Sequence, residues 1–485
     1  MPADRIFSCG METQLSYRKA GPLLTACVYV SLMAGQSATT AQPQQAAEQQ
    51  EARKDGETIA ILNVPAPLGG TIPRLAPLSE GEFHNIVRGD IALGAIYDDN
   101  ALVVNGQAFD GSQYFVLPNI SLQQTRTHTL WSLDYHGGLT VERKAPAASP
   151  SIDNAETGTV AVQHVFGRRL LVELRQDYTM TNNTSTSIAE SVSPATVSGP
   201  GQMNSNLALP AGSRTTSVSF ANLTYQLSRH SSFGVDGSYS TQRFRNVTTS
   251  SGSALSLIDT RSTAGRGFYA LEMSRRQTIG VEYQIQDLRF QSNQGRTTDQ
   301  TAFLFDEIRL TSSLELTLFA GPDFVHTHNN VLITGTKAST LIVPALHDQW
   351  SSAGGALFTW RGRRPALQLS GQRVIADGSG TLGAIRALSA GANFEMMFTR
   401  SWSANLGYIY SDGRFLQGSK QIDSNMTLQQ GNVAVDRRLG EHLTARVQYA
   451  RIQQISGGTP VPLTTGNHNR VEGDLVFQFM RPLGR

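Results

Sequence analysis

Cysteine is almost missing from this chain of 485 residues: there are two, Cys9 and Cys27. Everything after residue 27 must fold without a disulfide, a cysteine-ligated metal or a thiol nucleophile. Long apolar runs are missing too. Past the N-terminus nothing approaches the roughly twenty consecutive apolar residues of a membrane-spanning helix. Charge is sparse, at 16% Asp, Glu, Lys and Arg, and nearly balanced at +2. No basic cluster is dense enough to follow a phosphate backbone, so nucleic acid is not an expected partner. G-x-S-x-G, P-loop, H-E-x-x-H and paired C-x-x-C motifs are absent, so neither an enzyme nor a cofactor is expected.

What the chain has in their place is 45 glycines and a repeated alternation of apolar and polar side chains. In "RVEGDLVFQFMRPLGR", Val471, Leu475, Phe477 and Phe479 fall on one face of an extended strand, with Glu472, Asp474 and Gln478 on the other. The same pattern sets Trp131, Leu133 and Tyr135 against Asp134 and His136, and Ile279, Val281, Tyr283 and Ile285 against Glu282, Gln284 and Gln286. Very short polar turns alternate with longer stretches rich in Gly, Ser, Thr and Asn. Short turns are expected at 125–127, 167–169, 228–231, 275–277, 311–313, 361–364, 399–401 and 439–442. Longer connections are expected at 99–113, 144–154, 181–213, 245–261, 292–298, 327–348, 375–384, 412–424 and 456–468. A soluble all-β protein has no need of this alternation, whereas an outer-membrane barrel has tight periplasmic turns and long outer loops. The pattern predicts an all-β, antiparallel transmembrane barrel over residues 89–485, with about eighteen strands and sixteen as the other count. Its even strand number places the N-terminus in the periplasm.

The N-terminus reads as a targeting segment. Arg18 and Lys19 precede "GPLLTACVYVSLMAG" and the small residues of "QSATTAQ", as in a secretory signal ending near residue 41, with Met11 as an alternative start. The competing reading is a membrane anchor. "LTAC" resembles a lipoprotein processing box, but apolar residues continue past Cys27. Residues 42–88 form a separate extension, first low in bulky apolar residues and then carrying four prolines in "TIAILNVPAPLGGTIPRLAPL". It is a linker, a plug or a partner-binding arm.

Two resemblances concern the terminal strands. The last, with Phe477 and Phe479, resembles the C-terminal signal read by the barrel-assembly machinery, here followed by "MRPLGR". The first, "GDIALGAIYDDN", resembles the opening strand of porin-like β-barrel families and of outer-membrane barrels associated with exopolysaccharide export; the match rests on Tyr97, Asp98, Asp99 and Asn100. That resemblance implies a porin-like or export-associated channel. Read from the residues alone, Asp and Asn simply favour a turn there.

The polar face supplies the candidate interior: Asp134, Glu173, Arg175, Asp177, Asp236, Glu272, Glu282, Glu315, Glu395, Arg446, Glu472 and Asp474. Acidic residues predominate in this set, which predicts a weak cation preference in an open lumen; the alternative is a network of paired charges across a closed one. Trp360, Phe398 and Trp402 beside short turns suit a headgroup-level aromatic girdle. Arginines in the turns, among them Arg168, Arg169, Arg275, Arg276, Arg361, Arg363, Arg364 and Arg400, either meet anionic headgroups or keep the turns soluble. His326 and His328 share a strand face, but no third metal ligand accompanies them. Asp134, His136 and His164 lack a nucleophile tied to them by spacing. The expected function is passage of small polar solutes, or of exported polysaccharide, across the outer membrane; the competing class is a non-conducting structural or surface-interaction barrel. On the channel reading, Glu282→Gln and Glu472→Gln should lower cation selectivity, measured as a shift in reversal potential.

Overall fold

The computed structural model describes residues 85–485 apart from 105–106, 127, 145–150, 168, 182–200, 203–212, 246–257, 292–294, 335–339, 378–383, 417–424, 458–465 and 483–485. The signal-like segment, both cysteines, Arg168 and the extension up to residue 84 lie outside the described residues. Nineteen strands follow in order. The first nine are β1 Ile86–Val104, β2 Gln107–Arg126, β3 Thr129–Lys144, β4 Ser151–Phe166, β5 Leu170–Thr181, β6 Gly201–Gln202, β7 Ser213–Gln226, β8 Ser231–Arg245 and β9 Thr260–Ser274. After them come β10 Gln277–Phe290, β11 Gly295–Thr311, β12 Leu314–Thr334, β13 Thr340–Arg361 and β14 Pro365–Asp377. The last five are β15 Ala384–Met397, β16 Trp402–Phe415, β17 Asn425–Arg438, β18 Leu443–Gly457 and β19 Gly466–Pro482. β6 is a two-residue piece; the other eighteen pair antiparallel in sequence order, and β1 pairs with β19 to close the barrel.

The eight expected short turns all lie at one end, and several are held by their own hydroxyls. Their hydroxyls bind backbone that would otherwise continue the ladder. Thr399 Oγ1 accepts from the N–H of Ser401 at 3.2 Å and of Trp402 at 3.1 Å; Ser228 and Ser231 join their hydroxyls at 2.7 Å. Gly167 takes φ of 63°, a left-handed conformation that favours glycine.

At the opposite end, the expected long connections are partly strand. β1 and β2 pair up to Val104 and Gln107, inside the stretch 99–113, and β12 and β13 pair up to Thr334 and Thr340, inside 327–348. Alternation of length survives at most hairpins but fails at the first, where residues 105–106 alone connect the strands. The apolar residues there, at 102–104, 331–333 and 341–343, run consecutively instead of alternating with polar ones, so the two-residue period that marks the rest of the wall is missing.

The Tyr97-Asp98-Asp99-Asn100 motif, expected as a turn, sits within β1 and clasps the closing strand. A register shift against β2 between Asp98 and Leu102 marks the place. Inside the barrel, Asp98 Oδ1 meets His468 Nδ1 at 3.4 Å and accepts from the Asn100 N–H at 2.9 Å. Outside, Asp99 accepts from the Asn469 N–H at 2.8 Å and from its side-chain amide at 2.6 Å; Asn100 donates to the Asn467 carbonyl at 3.1 Å. Lower on the same seam the Phe479 ring lies over Gly89, where any Cβ would collide with it.

One pair of neighbours departs from the regular wall. β13 and β14 pair only through residues 354–361 and 366–373, while β12 and β13 continue together for the full length of β13. Above that row β14 stays paired with β15 without a register shift, so Arg373 and Ile375 keep the side of the sheet on which Leu367 and Leu369 face out. Yet Ile375 packs with Leu288, Phe290 and Val325, all from the inward face of β10 and β12. Arg386, opposite Ile375, donates from Nη2 to Gln349 Oε1 of β13 at 3.3 Å. The upper β14–β15 hairpin therefore passes inside β12–β13, its outer face against their inner face. The edge of β14 that β13 leaves carries a parallel pairing of Ala376 and Asp377 with Gly201 and Gln202.

If the acidic clasp secures closure, Asp98→Ala with Asp99→Ala should cost about 1–3 kcal/mol. The check is the temperature at which the folded band on an SDS gel is lost, which should fall while Asp110→Ala, outside the clasp, leaves it in place.

Candidate functional site

Because the wall is closed and one residue thick, each strand places half its side chains inside. The outer face carries exposed apolar residues all round, among them Leu93, Leu174, Val281, Leu406 and Val447. Exposed aromatics border it: Phe166, Phe398, Trp402, Phe477 and Phe479 near the short turns, and Tyr97, Tyr178, Tyr239, Tyr408 and Tyr449 toward the other end. Across β1 and β19, Phe479 and the Tyr97–Val471 row lie eight residues apart. That separation is about 26 Å along the strand and, at a tilt of about 40°, about 20 Å along the barrel axis. Trp402 receives the Arg437 guanidinium over its ring at 5.0 Å, and Arg364 donates to the Phe398 carbonyl at 3.3 Å. These arginines serve the turn-end aromatics.

All twelve candidate interior residues lie on the inward side of their strands. Asp134 alternates with the exposed Leu133 and Tyr135, Glu272 with Tyr269 and Met273, and Glu472 and Asp474 with Val471, Leu475 and Phe477. Glu315 opposes Thr359 and Arg309 near the short turns, and Glu395 opposes Asn405. Several are brought together as ion pairs. Arg175 meets Asp177 at 2.8 Å, and Asp177 also accepts from Thr159 at 2.8 Å. Arg446 meets Asp436 at 2.6 Å, with Asp474 across the ladder from it. Asp236 and Glu282 share one partner that the sequence reading missed: Arg266 of β9 bonds Asp236 and lies 3.7 Å from Glu282. The three side chains are 6%, 8% and 2% exposed, so the trio is a desolvated wall brace rather than a wet lining.

Arg266 is visible in the sequence, two residues from Phe268 and on the same alternation; the candidate set takes in Arg175 and Arg446 but leaves it out. Arg214 and Arg470, also buried, are left out as well. The excess of acid in the candidate set therefore overstates the charge of the interior, and Glu282 is in no position to select ions.

Two apolar patches occupy inward positions the sequence had assigned to polar groups. One comprises Phe268, Ala270, Phe303, Phe305, Phe319 and Ala353, its rings lying over Gly234, Gly280 and Gly355. The other is the cluster joining β10 and β12 to the inturned hairpin. Between them lies a buried polar belt with Gln284, Gln286, Asp299, Thr301 and Asp323, in which Ser351 donates to Asp323 at 2.6 Å. Outward apolar residues signal lipid; inward ones on alternate positions were masked by their polar neighbours.

The remaining candidates separate. His326 and His328 share the outer face within β12, not at a strand-to-loop boundary, and His326 pairs with Asp348. Among the described residues no group of three His, Cys, Asp or Glu side chains could hold a metal. Asp134 and His136 face inward, but His164 faces outward with Val160 and Val162, its Nδ1 2.7 Å from the Thr129 hydroxyl. The wall stands between them, so they form no triad.

No protein-family model matches the sequence, and no curated protein matches it. Solved structures resemble it in outline. They include the FrpB iron transporter of Neisseria meningitidis in its apoprotein form, 11% identical over 78% of this chain and 63% of that one, TM-score 0.40. OccK2 (OpdF) of Pseudomonas aeruginosa is 10% identical over 82% and 98%, TM-score 0.40, and the unliganded ferric citrate transporter FecA is 11% identical over 80% and 63%, TM-score 0.41. The chain thus spans 63% of the length of FrpB and of FecA.

Arg266→Ala would strand two buried carboxylates and should cost about 3–5 kcal/mol, read as earlier thermal loss of the SDS-resistant band, with Arg266→Lys losing less. Glu282→Gln should leave the reversal potential unchanged, because its side chain is 2% exposed and does not meet permeating ions; Glu472→Gln, half-buried, should still lower cation selectivity.

Proposed function

We propose that this chain is an outer-membrane channel that passes small polar solutes down their gradients. The observation that carries this reading is the division of the wall: exposed apolar residues bounded by aromatics cover the outside, while charged and amide side chains occur inside on strands all around the circumference. Lipid accepts the first face, and only water or paired partners accept the second. In this reading the outer aromatics and turn arginines contact outer-membrane lipid, the short-turn end and the N-terminus are periplasmic, and Phe477 and Phe479 on the closing strand are the surface offered to the barrel-assembly machinery. Residues 86–88 of the expected 42–88 extension belong to β1, and the rest would act as linker, plug or partner-binding arm.

Passage of an exported polysaccharide is the weaker version. The motif behind it, Tyr97 to Asn100, is occupied in holding β1 to β19, so it carries no information about cargo. A structural, non-conducting barrel is favoured by one specific observation, the burial of the Asp236–Arg266–Glu282 trio. Conductance of the refolded protein in a planar bilayer separates the two. The channel reading expects discrete steps, increasing when residues 42–84 are removed if that arm is a plug. Silence from both folded forms would favour the structural barrel.

A further inference from the structure

We propose that the upper β14–β15 hairpin is a gate, latched inside the barrel through Arg386 and able to swing out and re-pair with β13; the inference rests on the channel reading above. Sheet geometry alone would carry Ile375 and Arg386 to the outer face, because β14 and β15 remain in register throughout. They turn inward instead, and two kinds of contact hold them there. Ile375 and Ala384 join Leu288, Phe290 and Val325 in an apolar cluster in which Leu288 is 0% and Ile375 2% exposed. Arg386 donates to Gln349 and stands within electrostatic reach of Asp299 and Asp323, a carboxylate pair on the inner wall.

An alternative arrangement is already built into the strands. Above Gly354, β13 has no partner strand on its β14 side among the described residues, and the β14 edge above Arg373 holds only the short pairing with Gly201 and Gln202. Extending the existing register by simple antiparallel counting would pair Val374 with Ala353 and Ala376 with Ser351. Moving out would give up the two-residue pairing with Gly201 and Gln202 and gain a ladder with β13, set against loss of the apolar cluster and the arginine latch. Such near-balance between two packings is what a two-state element requires.

Because the chain after residue 27 has no cysteine, replacing Cys9 and Cys27 by Ser gives a clean background. In Gln349→Cys with Arg386→Cys, the latch is cut and conductance should exceed that of the parent; bridging the pair with a short bis-maleimide should return it to the parental level or below. In Ser351→Cys with Ala376→Cys, oxidation should form a disulfide in the outward state and raise conductance several-fold, reversibly with a reductant. SDS-resistant bands before and after treatment confirm that each variant is folded. If the barrel conducts but the bridge changes nothing, or if Ser351→Cys and Ala376→Cys fail to join under oxidation, the gate is refuted while the channel stands. If no folded variant conducts, including the oxidised outward form, the channel reading fails and the gate fails with it.

Discussion

A strand edge in lipid leaves a row of N–H and C=O groups with no partner, at a cost of several kcal/mol for each group. The ladder between β1 and β19 removes that row, and the rest of the molecule follows from its closure. The Asp98–Asp99–Asn100 clasp reinforces the join from both faces with charge-assisted and amide hydrogen bonds, where β1 is locally out of register with β2. Closure then fixes the alternation everywhere else: a one-residue slip of any strand would exchange its apolar and polar faces.

Confinement of charge is the second consequence. Inward carboxylates on a closed wall either meet water or meet cations, and here Asp236 and Glu282 meet Arg266. The phenylalanines of the inner wall use another device, laying their rings over glycines of the neighbouring strand so that ring and sheet pack without a gap. Interior volume is thus partly taken by structure. The inturned β14–β15 hairpin takes more of it.

The barrel, its strand number and the sides of its strands were legible in the sequence because period-two alternation is imposed by lipid on one face and by polar partners on the other. Val281, Tyr283 and Ile285 set against Glu282, Gln284 and Gln286 carry that signal directly. Strand ends were not legible, since the two-residue period stops there; β1 continues to Val104 through the unbroken apolar run 101–104, directly after the turn-favouring Asp98, Asp99 and Asn100. Nor was pairing legible. That Asp98 and Asp99 grip His468 and Asn469 across some 370 residues of sequence is a property of closure, not of the motif. The tuck of β14–β15 was hidden for a similar reason, because Ile375 and Arg386 follow a regular alternation and only their partners reveal which side of the wall they occupy.

The account rests on the assignment of one strand face to lipid and the other to the interior. Spin labels placed singly at positions 279–286 of β10, in protein reconstituted into bilayers, test it most directly. Collision with oxygen should be high at 279, 281, 283 and 285 and low at 280, 282, 284 and 286. Collision with a water-soluble nickel chelate should stay low at the four odd positions. High nickel accessibility at those positions, or loss of the two-residue period, would contradict a closed barrel whose apolar face lies in the membrane.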